Sequence, residues 1–283
     1  MNKDRLLETN SFIELGARER AQAMLDEGSM RELLGPFDRV KSPWLAAQGI
    51  VTQADDGMIV AKGTLNGVNT VVLAIEGNFQ GGSLGEVSGA KMSGALELAA
   101  EDNRKGIPTQ AVLMLETGGV RLQEANLGLA AIAEIHAAIA DLRRYRPVIA
   151  VIAGTVGCFG GMSVAAALCS YIVVTREARY GLNGPQVIEQ EAGIVEYDSR
   201  DRPFIWSFSG GEQRYATGLA DRLVADDVDA MRATLCELSA AGVPARHRDE
   251  RVDDFLAMLT HVDTTEQPSS AQVRDLFAKG LQS

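Results

Sequence analysis

Glycine-rich segments form the part of this sequence best suited to chemistry. They are Gly81-Gly82-Ser83, Gly118-Gly119 and the stretch from Gly154 to Gly161, and each stands between an apolar run and a helix-like run. Glycine has no Cβ, so backbone N–H groups can converge on an anion there, and the dipole of the following helix adds positive potential. One such pair is more often a simple turn. A succession of three favours a site for an oxyanion or a phosphate.

Other common sites are disfavoured by the motifs that the sequence lacks. No GxGxxG opens the first strand–helix unit and no GxxxxGK[ST] occurs, so neither dinucleotide nor ATP binding is favoured. Ser83, Ser163 and Ser209 lack the GxSxG setting of a nucleophilic serine, which disfavours an acyl-enzyme.

The histidines and cysteines also give little support for catalysis by side chains. His136, His247 and His261 are isolated, without another ligand at metal-binding spacing, so we expect no metal site. Cys158 lies in the third glycine segment beside Val156 and Phe159, where a free cysteine is more often inert packing than a nucleophile. The sequence therefore favours a reaction that needs few acid or base groups.

The elements around the glycine segments predict an α/β fold. Residues 58–64 and 68–76 are β-branched runs that flank Asn66-Gly67, a dipeptide typical of a tight hairpin turn. A unit of strand, glycine loop and helix then recurs, and a further strand is predicted at 171–175. Such alternation implies parallel strands whose carboxyl ends gather the functional loops. The predicted strands are 71–76, 111–115 and 148–153, and the predicted helices are 87–103, 127–144 and 162–169.

The two ends of the chain are predicted to be helical. Apolar residues recur with helical spacing over 11–34 and stop at Gly35-Pro36, which predicts a helical arm over residues 1–35. Residues 212–283 are predicted as a helical tail with little room for another sheet. We expect one domain over residues 1–283 with the arm and the tail as extensions.

Composition narrows the class of protein further. Lys+Arg of 27 against Asp+Glu of 38 gives 27 − 38 = −11, a charge that disfavours binding to nucleic acid. The first thirty residues mix charges throughout, and no stretch provides the roughly 18 apolar residues of a membrane helix. The 3 cysteines form no CxxC pair, which argues against a disulfide framework. We expect a cytoplasmic protein that does not enter a membrane.

Longer motifs around the glycine loops resemble a known family. FQGGSLGEVSGAK at 79–91, TGGVRLQE at 117–124, Gly160-Gly161 and GPQVIEQ at 184–190 resemble the carboxyltransferase beta subunit of acetyl-CoA carboxylase and, more closely, the malonate decarboxylase beta subunit. The likeness spans about residues 50–225. The chain has no four-cysteine zinc ribbon, and Ala125-Asn126 departs from the carboxylase pattern. The resemblance implies a crotonase-like (ClpP/crotonase) fold of repeated ββα units.

The resemblance also implies an activity. A malonyl thioester on an acyl carrier protein would lose CO2 to give an acetyl thioester, through an enolate whose oxygen needs hydrogen-bond donors rather than a general base. Candidate donors are the backbones of Gly118, Gly119, Val120, Gly160 and Gly161. The proton donor to the enolate is left open between water, Tyr180 and a partner's group.

Candidate binding residues follow from the same resemblance. Gln80, Gly81 and Gly82 would hold the thioester arm, and Phe159, Met162 and Leu182 would line a dry, apolar pocket for the carboxylate. An arginine there would stabilise the charged ground state more than the transition state. Arg121 and Glu124 are interpreted as a structural ion pair.

The resemblance further implies partners. They are a gamma subunit, an acyl carrier protein subunit and an acyl-carrier transferase subunit. No cofactor is expected to be covalently bound on this chain; the pantetheine-type prosthetic group of the carrier, or coenzyme A, would serve as the substrate's handle. We predict a basic patch for the carrier from Lys91, Arg104, Lys105, Arg143, Arg144 and Arg146.

Three alternatives remain open at this point. The chain could be the carboxyltransferase half of a biotin-dependent decarboxylase or carboxylase, in which the carboxyl group moves to biotin. It could be an enoyl-CoA hydratase or isomerase, for which Glu116 and Glu124 are the nearby carboxylates. It could also be a non-catalytic scaffold, although such a protein has no use for several converging glycine loops.

Overall fold

A seven-stranded sheet organises the protein, with its strands adjacent in chain order. The computed structural model describes residues 10–263, 265 and 268–280. The first three strands pair antiparallel, and from the third to the seventh the pairing is parallel. The strands are β1 (Arg31–Leu33), β2 (Met58–Leu65), β3 (Val68–Ile75), β4 (Thr109–Met114), β5 (Val148–Ile152), β6 (Tyr171–Thr175) and β7 (Arg222–Val224).

Helices connect the parallel strands and cover both faces of the sheet. They are α1 (Ala17–Met24), α2 (Glu86–Arg104), α3 (Asn126–Leu142), α4 (Gly161–Leu168), α5 (Pro185–Ala192), α6 (Arg202–Ser209), α7 (Gly211–Ala216), α8 (Val228–Ala241), α9 (Val252–Leu259) and α10 (Ser270–Gly280). Short 3₁₀ turns lie at Ala46–Gln48, Gln80–Gly82, Leu122–Glu124 and Arg248–Arg251. Within the described residues, no helix is long and apolar enough to cross a membrane.

The predicted hairpin is confirmed. Strands β2 and β3 pair from Leu65 with Val68 to Met58 with Ile75. Asn66 and Gly67 between them have φ angles of 50° and 75°. Asparagine and glycine tolerate this left-handed conformation, and two consecutive positive φ angles are typical of a type I′ hairpin turn.

Alternating side chains of the central strands fill two cores. Leu73 and Leu113 point to one face and pack with Leu96 of α2 and Ile135 of α3. Their neighbours along the strands point to the opposite face, where α1 and α8 lie. Because both faces are buried, the central strands are apolar almost throughout, as is usual for parallel sheets.

A second row of pairing follows the carboxyl ends of the strands. Isolated parallel bridges join Leu84 to Val120, Thr117 to Cys158, and Cys158 to Tyr180. Each unit therefore consists of a strand, a short bridged segment and a helix. This arrangement confirms the predicted α/β class and its repeated ββα units.

Both predicted extensions need correction. In the arm the helix covers only Ala17–Met24, whereas residues 31–33 form an edge strand that pairs with β2. In the tail, residues 222–224 form a strand that pairs with β6 and extends the same sheet, so the tail is not helical throughout. Both strands are three residues long and depend on pairing with a distant partner strand, which overrides local helical preference. Residues 1–9 of the arm lie outside the described part.

Candidate active site

The three predicted glycine loops meet at one end of the parallel strands. The Gly118 N–H donates to the Gly81 oxygen at 2.9 Å, which joins the first loop to the second. A Cβ at Gly119 would lie 3.0 Å from the Phe159 oxygen, and one at Gly160 would lie 3.3 Å from the Gly119 Cα. Gly119 and Gly160 also have φ angles of 104° and 61°. Glycine is therefore required both for the conformation and for the close packing of the second and third loops.

Hydrogen bonding distinguishes among the five predicted backbone donors. Gly118 is bonded to Gly81, the Gly119 N–H donates to the Thr117 Oγ1 at 3.0 Å, and the Gly160 N–H donates to the Leu182 oxygen at 2.7 Å. In the part of the chain that the structure describes, the N–H groups of Val120 and Gly161 have no protein acceptor. These are the two predicted donors without a protein acceptor, and both residues are half-buried.

The orientation of both free donors has a local cause. Leu84 pairs with the residues on either side of Val120, because its N–H donates to the Gly119 oxygen and its oxygen accepts from the Arg121 N–H, both at 2.8 Å. In parallel pairing, the intervening residue directs its own N–H to the opposite side. Gly161 is the first residue of α4, where helical N–H groups lack a partner and the helix dipole is positive.

A cavity of about 460 Å³ opens beside these loops. Gly118, Phe159 and Gly160 of the glycine loops line it, together with Leu182 and Pro185 of the segment that follows β6. Larger cavities of about 480, 630 and 790 Å³ lie elsewhere and contain none of the glycine-loop residues. The smaller cavity is therefore the candidate active site.

The predicted apolar lining is partly wrong. Phe159 lines the cavity, and Leu182 lies at it with 63 % of its surface exposed. Met162 does not line it, because its side chain is 0 % exposed in the core against α3. Residue 162 is in the first turn of α4, whose buried face points to the sheet.

The thioester-binding residues predicted at 80–82 lie in the first loop and are not in the cavity wall. Gln80, Gly81 and Gly82 have φ angles of 51°, 62° and 66°, so three consecutive residues are left-handed. Gly82 is buried, where a Cβ would lie 1.8 Å from the Glu116 oxygen. Their proposed role in holding the substrate stays a prediction.

Arg179 is a residue of the cavity that the sequence did not predict. It follows β6 in the fourth bridged segment, and its side chain lies in the cavity wall beside Phe159. The candidate cavity therefore contains an arginine, whereas the carboxylate pocket expected from the sequence is apolar. The signal that could have found it is its position after the end of a parallel strand, where the predicted glycine loops also lie.

The nearby carboxylates are engaged in the structure of the loops. Glu116 accepts from the Arg20 Nη1 at 2.5 Å and from the Val156 N–H at 3.0 Å. Glu124 accepts from Arg121 at 3.0 Å, which confirms the predicted ion pair. Neither carboxylate lines the cavity. A hydratase or isomerase would need a free carboxylate at the substrate, so this alternative is not supported.

Two further side chains are also unsuited to the reaction. Burial raises the pKa of the Cys158 thiol well above its ordinary value, in agreement with an inert cysteine. Burial likewise raises the pKa of Tyr180, whose hydroxyl donates to the Ser163 oxygen at 3.1 Å. Tyr180 is therefore a poor proton donor to an enolate. No cluster of metal-ligating side chains occurs among the described residues.

The predicted basic patch is wrong at Lys91. Its ammonium is buried and donates to the oxygens of Leu34, Asp55 and Met58 at 2.9, 2.9 and 2.5 Å. Desolvation lowers its pKa. Other members of the patch pair with carboxylates of the same protein: Arg104 and Arg144 with Asp141, Lys105 with Glu101, and Arg143 with Asp249.

Stacked ββα units whose glycine loops expose free backbone donors define a crotonase-like enzyme of the carboxyltransferase type. Residues 14–269 match the carboxyl transferase domain family, and the chain belongs to that family. Known relatives show which members of the family the chain resembles. The chain is 69 % identical to a subunit of a Pseudomonas malonate decarboxylase hetero-tetramer solved in complex with malonate, over 97 % of this chain and 100 % of that one, with a TM-score of 0.95.

Two more relatives support the same assignment. A subunit of a hetero-dimer of the Pseudomonas malonate decarboxylase is 62 % identical, over 88 % of this chain and 96 % of that one, with a TM-score of 0.76. The malonyl-S-ACP:biotin-protein carboxyltransferase of Malonomonas rubra is 41 % identical, over 81 % of this chain and 75 % of that protein. The predicted resemblance to the malonate decarboxylase beta subunit is confirmed, and so is the prediction of an enzyme.

Proposed function

We propose that this chain is the subunit that decarboxylates a malonyl thioester on an acyl carrier protein, giving an acetyl thioester and CO2. The observation that carries the proposal is the pair of free N–H groups, from Val120 and Gly161, on two loops that pack together beside a cavity. Fixed donors of this kind suit an oxygen that gains charge during a reaction.

The decarboxylation step needs hydrogen-bond donors but no free acid or base, in agreement with the residues at this site. The bond between the α-carbon and the carboxylate breaks, and its electron pair moves toward the thioester carbonyl, so an enolate forms while CO2 leaves. Losing one donor to such an oxyanion typically costs about 10² to 10³ in rate. No base is needed in this step, which fits a site where Glu116 and Glu124 are both engaged.

The enolate must then take a proton to become the acetyl thioester. We propose that water or a group from a partner subunit supplies it. The Tyr180 hydroxyl is buried and already bonded to the Ser163 oxygen, and its raised pKa makes it a weak acid.

The substrate would arrive on a pantetheine-type arm of the carrier, or on coenzyme A, with no cofactor covalently bound on this chain. Gln80, Gly81 and Gly82 are proposed to contact that arm, since Gly81 is exposed and its loop bonds directly to Gly118. An acyl carrier protein subunit and an acyl-carrier transferase subunit complete the system. The free cysteines fit the reducing cytoplasm that we propose as its compartment.

A partner subunit is supported by the relatives, which are described as a hetero-tetramer and a hetero-dimer. We propose a gamma subunit that contacts the tail. Val252, Leu256 and Leu259 of α9 are each about half exposed and lie at helical spacing on one face. An exposed apolar stripe of this kind is typical of a surface that is covered in a complex.

One relative favours a second candidate function. The Malonomonas rubra protein is named as a carboxyltransferase to a biotin protein, and that reaction would form the same enolate. In that case the carboxyl group would pass to biotin instead of leaving as CO2. The higher identity to the malonate decarboxylase subunit favours the reaction without biotin.

The test combines the chain with its gamma subunit and malonyl-loaded carrier in preparations stripped of biotin. The proposal predicts stoichiometric release of CO2 and acetyl carrier. Activity that appears only after a biotin carrier is added would instead establish the transfer reaction. No turnover under either condition would contradict both.

A further inference from the structure

Arg179 is held in an unusual environment for a cation. Its guanidinium lies 4.9 Å from the Trp206 ring and 5.7 Å from the Phe159 ring. Its Nη2 donates to the backbone oxygens of Thr155 and Val156. Stacking and these two bonds fix the planar group in the wall of the cavity.

The remaining nitrogens of this guanidinium have no acceptor. The Arg179 Nε is buried without a hydrogen bond, and within the described residues its Nη1 donates to no protein atom. Desolvation lowers the pKa of Arg179, so the surroundings disfavour its charge without compensation from a carboxylate.

Four other largely buried guanidiniums are compensated by ion pairs: Arg20 with Glu116, Arg121 with Asp56, Arg143 with Asp249 and Arg248 with Asp221. Arg214 also forms no ion pair in the described residues and burial lowers its pKa, but its Nε donates to the Tyr180 oxygen and it lines a different cavity. Arg179 forms no ion pair in the described part of the chain, although the protein has 38 acidic residues. An uncompensated cation at a cavity is expected where a ligand supplies the anion.

We infer that Arg179 binds the free carboxylate of the malonyl group and is the specificity-determining residue that separates the charged substrate from the acetyl product. The inference rests on the proposed function. Gly118 and Gly160 line the same cavity, so a carboxylate at Arg179 would place the rest of a malonyl thioester toward the second and third loops.

The reaction itself determines what this contact does. The carboxylate is an anion in the bound substrate and becomes neutral CO2 when the carbon–carbon bond breaks, so its ion pair weakens on the way to the transition state. Arg179 therefore strengthens substrate binding without accelerating the bond cleavage. The acetyl product has no carboxylate and gains nothing from Arg179, which limits inhibition by the product.

Arg179→Met tests this in the complex with the gamma subunit, because methionine retains an apolar stem against Phe159 and Trp206. The KM for the malonyl carrier should rise about 10- to 100-fold, the scale of a charge-assisted hydrogen bond, while kcat does not fall. Inhibition by the acetyl carrier should stay unchanged. A fall in kcat at constant KM, or an unchanged KM, would overturn the inference.

Arg176→Met is the matched control. Arg176 is exposed, pairs with Glu212 at 3.3 Å and does not line the cavity, so its loss should leave KM and kcat unchanged. If Arg179→Met does not fold, Arg179→Lys retains the cation and should raise KM less than tenfold at constant kcat. A lysine variant that loses kcat at constant KM contradicts the inference equally.

Calorimetry with malonate and with methyl acetate as probes separates this inference from the proposed function. The unsubstituted complex should bind malonate and not the uncharged ester, and Arg179→Met should weaken malonate binding at least about tenfold. Equal malonate binding by both proteins would overturn the role of Arg179. This result does not depend on whether the complex releases CO2, which tests the proposed function alone.

Discussion

At the level of single residues, we propose that backbone N–H groups, rather than titratable side chains, stabilise the charge that develops in the reaction. Val120 and Gly161 offer the free donors, and the nearby carboxylates of Glu116 and Glu124 are engaged by arginines. Cys158 belongs to the core, where it pairs through its backbone with Thr117 and Tyr180. Its thiol is therefore expected to take no part in the reaction.

Replacement of Cys158 tests this expectation. Because burial raises the pKa of the thiol, the group stays neutral between about pH 6 and 9 and contributes no limb to the rate profile. Cys158→Ala should keep kcat and the shape of its pH profile in protein that remains folded. Loss of turnover, or the disappearance of a limb in that range, would show that the thiol reacts.

The sequence predicts the glycine positions but does not distinguish the free donors from the bonded ones. The glycine pairs are visible because strands precede them and helices follow them. Whether a given N–H is free depends on acceptors from other loops, such as the Gly81 and Leu182 oxygens. Arg179 was missed for a similar reason, since its missing partner is apparent only after folding.

Among the secondary-structure elements, helix α2 is fixed at its start by a carboxylate from the next unit. Glu124 accepts from the Glu86 N–H and from the Ser42 hydroxyl, both at 2.7 Å, and from Arg121. Its negative charge also lies at the positive end of the helix. Burial alone would raise the pKa of Glu124, but these hydrogen bonds outweigh burial and lower it.

Glu124→Gln should destabilise the fold at neutral pH by about 3 to 5 kcal/mol, the scale for breaking a buried ion pair. A lowered pKa in the folded state means that the carboxylate stabilises above its unfolded pKa and that this contribution is lost as pH falls through the folded value. Unfolding curves from pH 7 down to about pH 3 should therefore fall more steeply for the unsubstituted protein. Parallel curves for both proteins would contradict this role.

The elements that could be predicted are those whose apolar residues recur with the spacing of a helix or a strand. Helices α2 and α3 and the hairpin β2–β3 follow from apolar spacing and from Asn66-Gly67. Strands β1 and β7 could not be predicted, because a strand of three residues has too little pattern and exists only through its neighbour. The isolated bridges after the strands could not be predicted either, because single bridged residues produce no periodic pattern in the sequence.

On the scale of the whole molecule, the proposed gamma-subunit contact is the apolar stripe of α9. Leu256→Glu should weaken association with the partner by at least about tenfold, because a charge would be buried at the interface. Leu98→Glu is the matched control, since Leu98 is also exposed but lies on α2. Equal affinities of both variants in a titration would place the partner elsewhere.

The family resemblance predicted the fold and the enzyme class of the protein better than its composition did. Ordered motifs in several loops indicated both the fold and the enzyme class, whereas the net charge of −11 only disfavoured nucleic acid as a partner. The basic patch failed at Lys91 because a sequence does not show which lysine is buried under backbone oxygens.

The central claim is that the Gly119–Val120 peptide presents its N–H to the enolate. Gly119→Ala tests it most directly, because alanine is strained at a φ of 104° and its Cβ would lie 3.0 Å from the Phe159 oxygen. The peptide must rotate to relieve this contact, and the Val120 N–H rotates with it. Gly106→Ala is the control, with a φ of 81° and nothing within 4 Å of its Cβ.

The measurement is kcat for CO2 release by each variant in the complex with its partner, with melting temperature and partner binding followed on the same samples. In protein that remains folded and bound, Gly119→Ala should lose at least about 10² in kcat, the scale of one oxyanion donor, while Gly106→Ala keeps it. Near-normal turnover by folded, partner-bound Gly119→Ala would contradict the account.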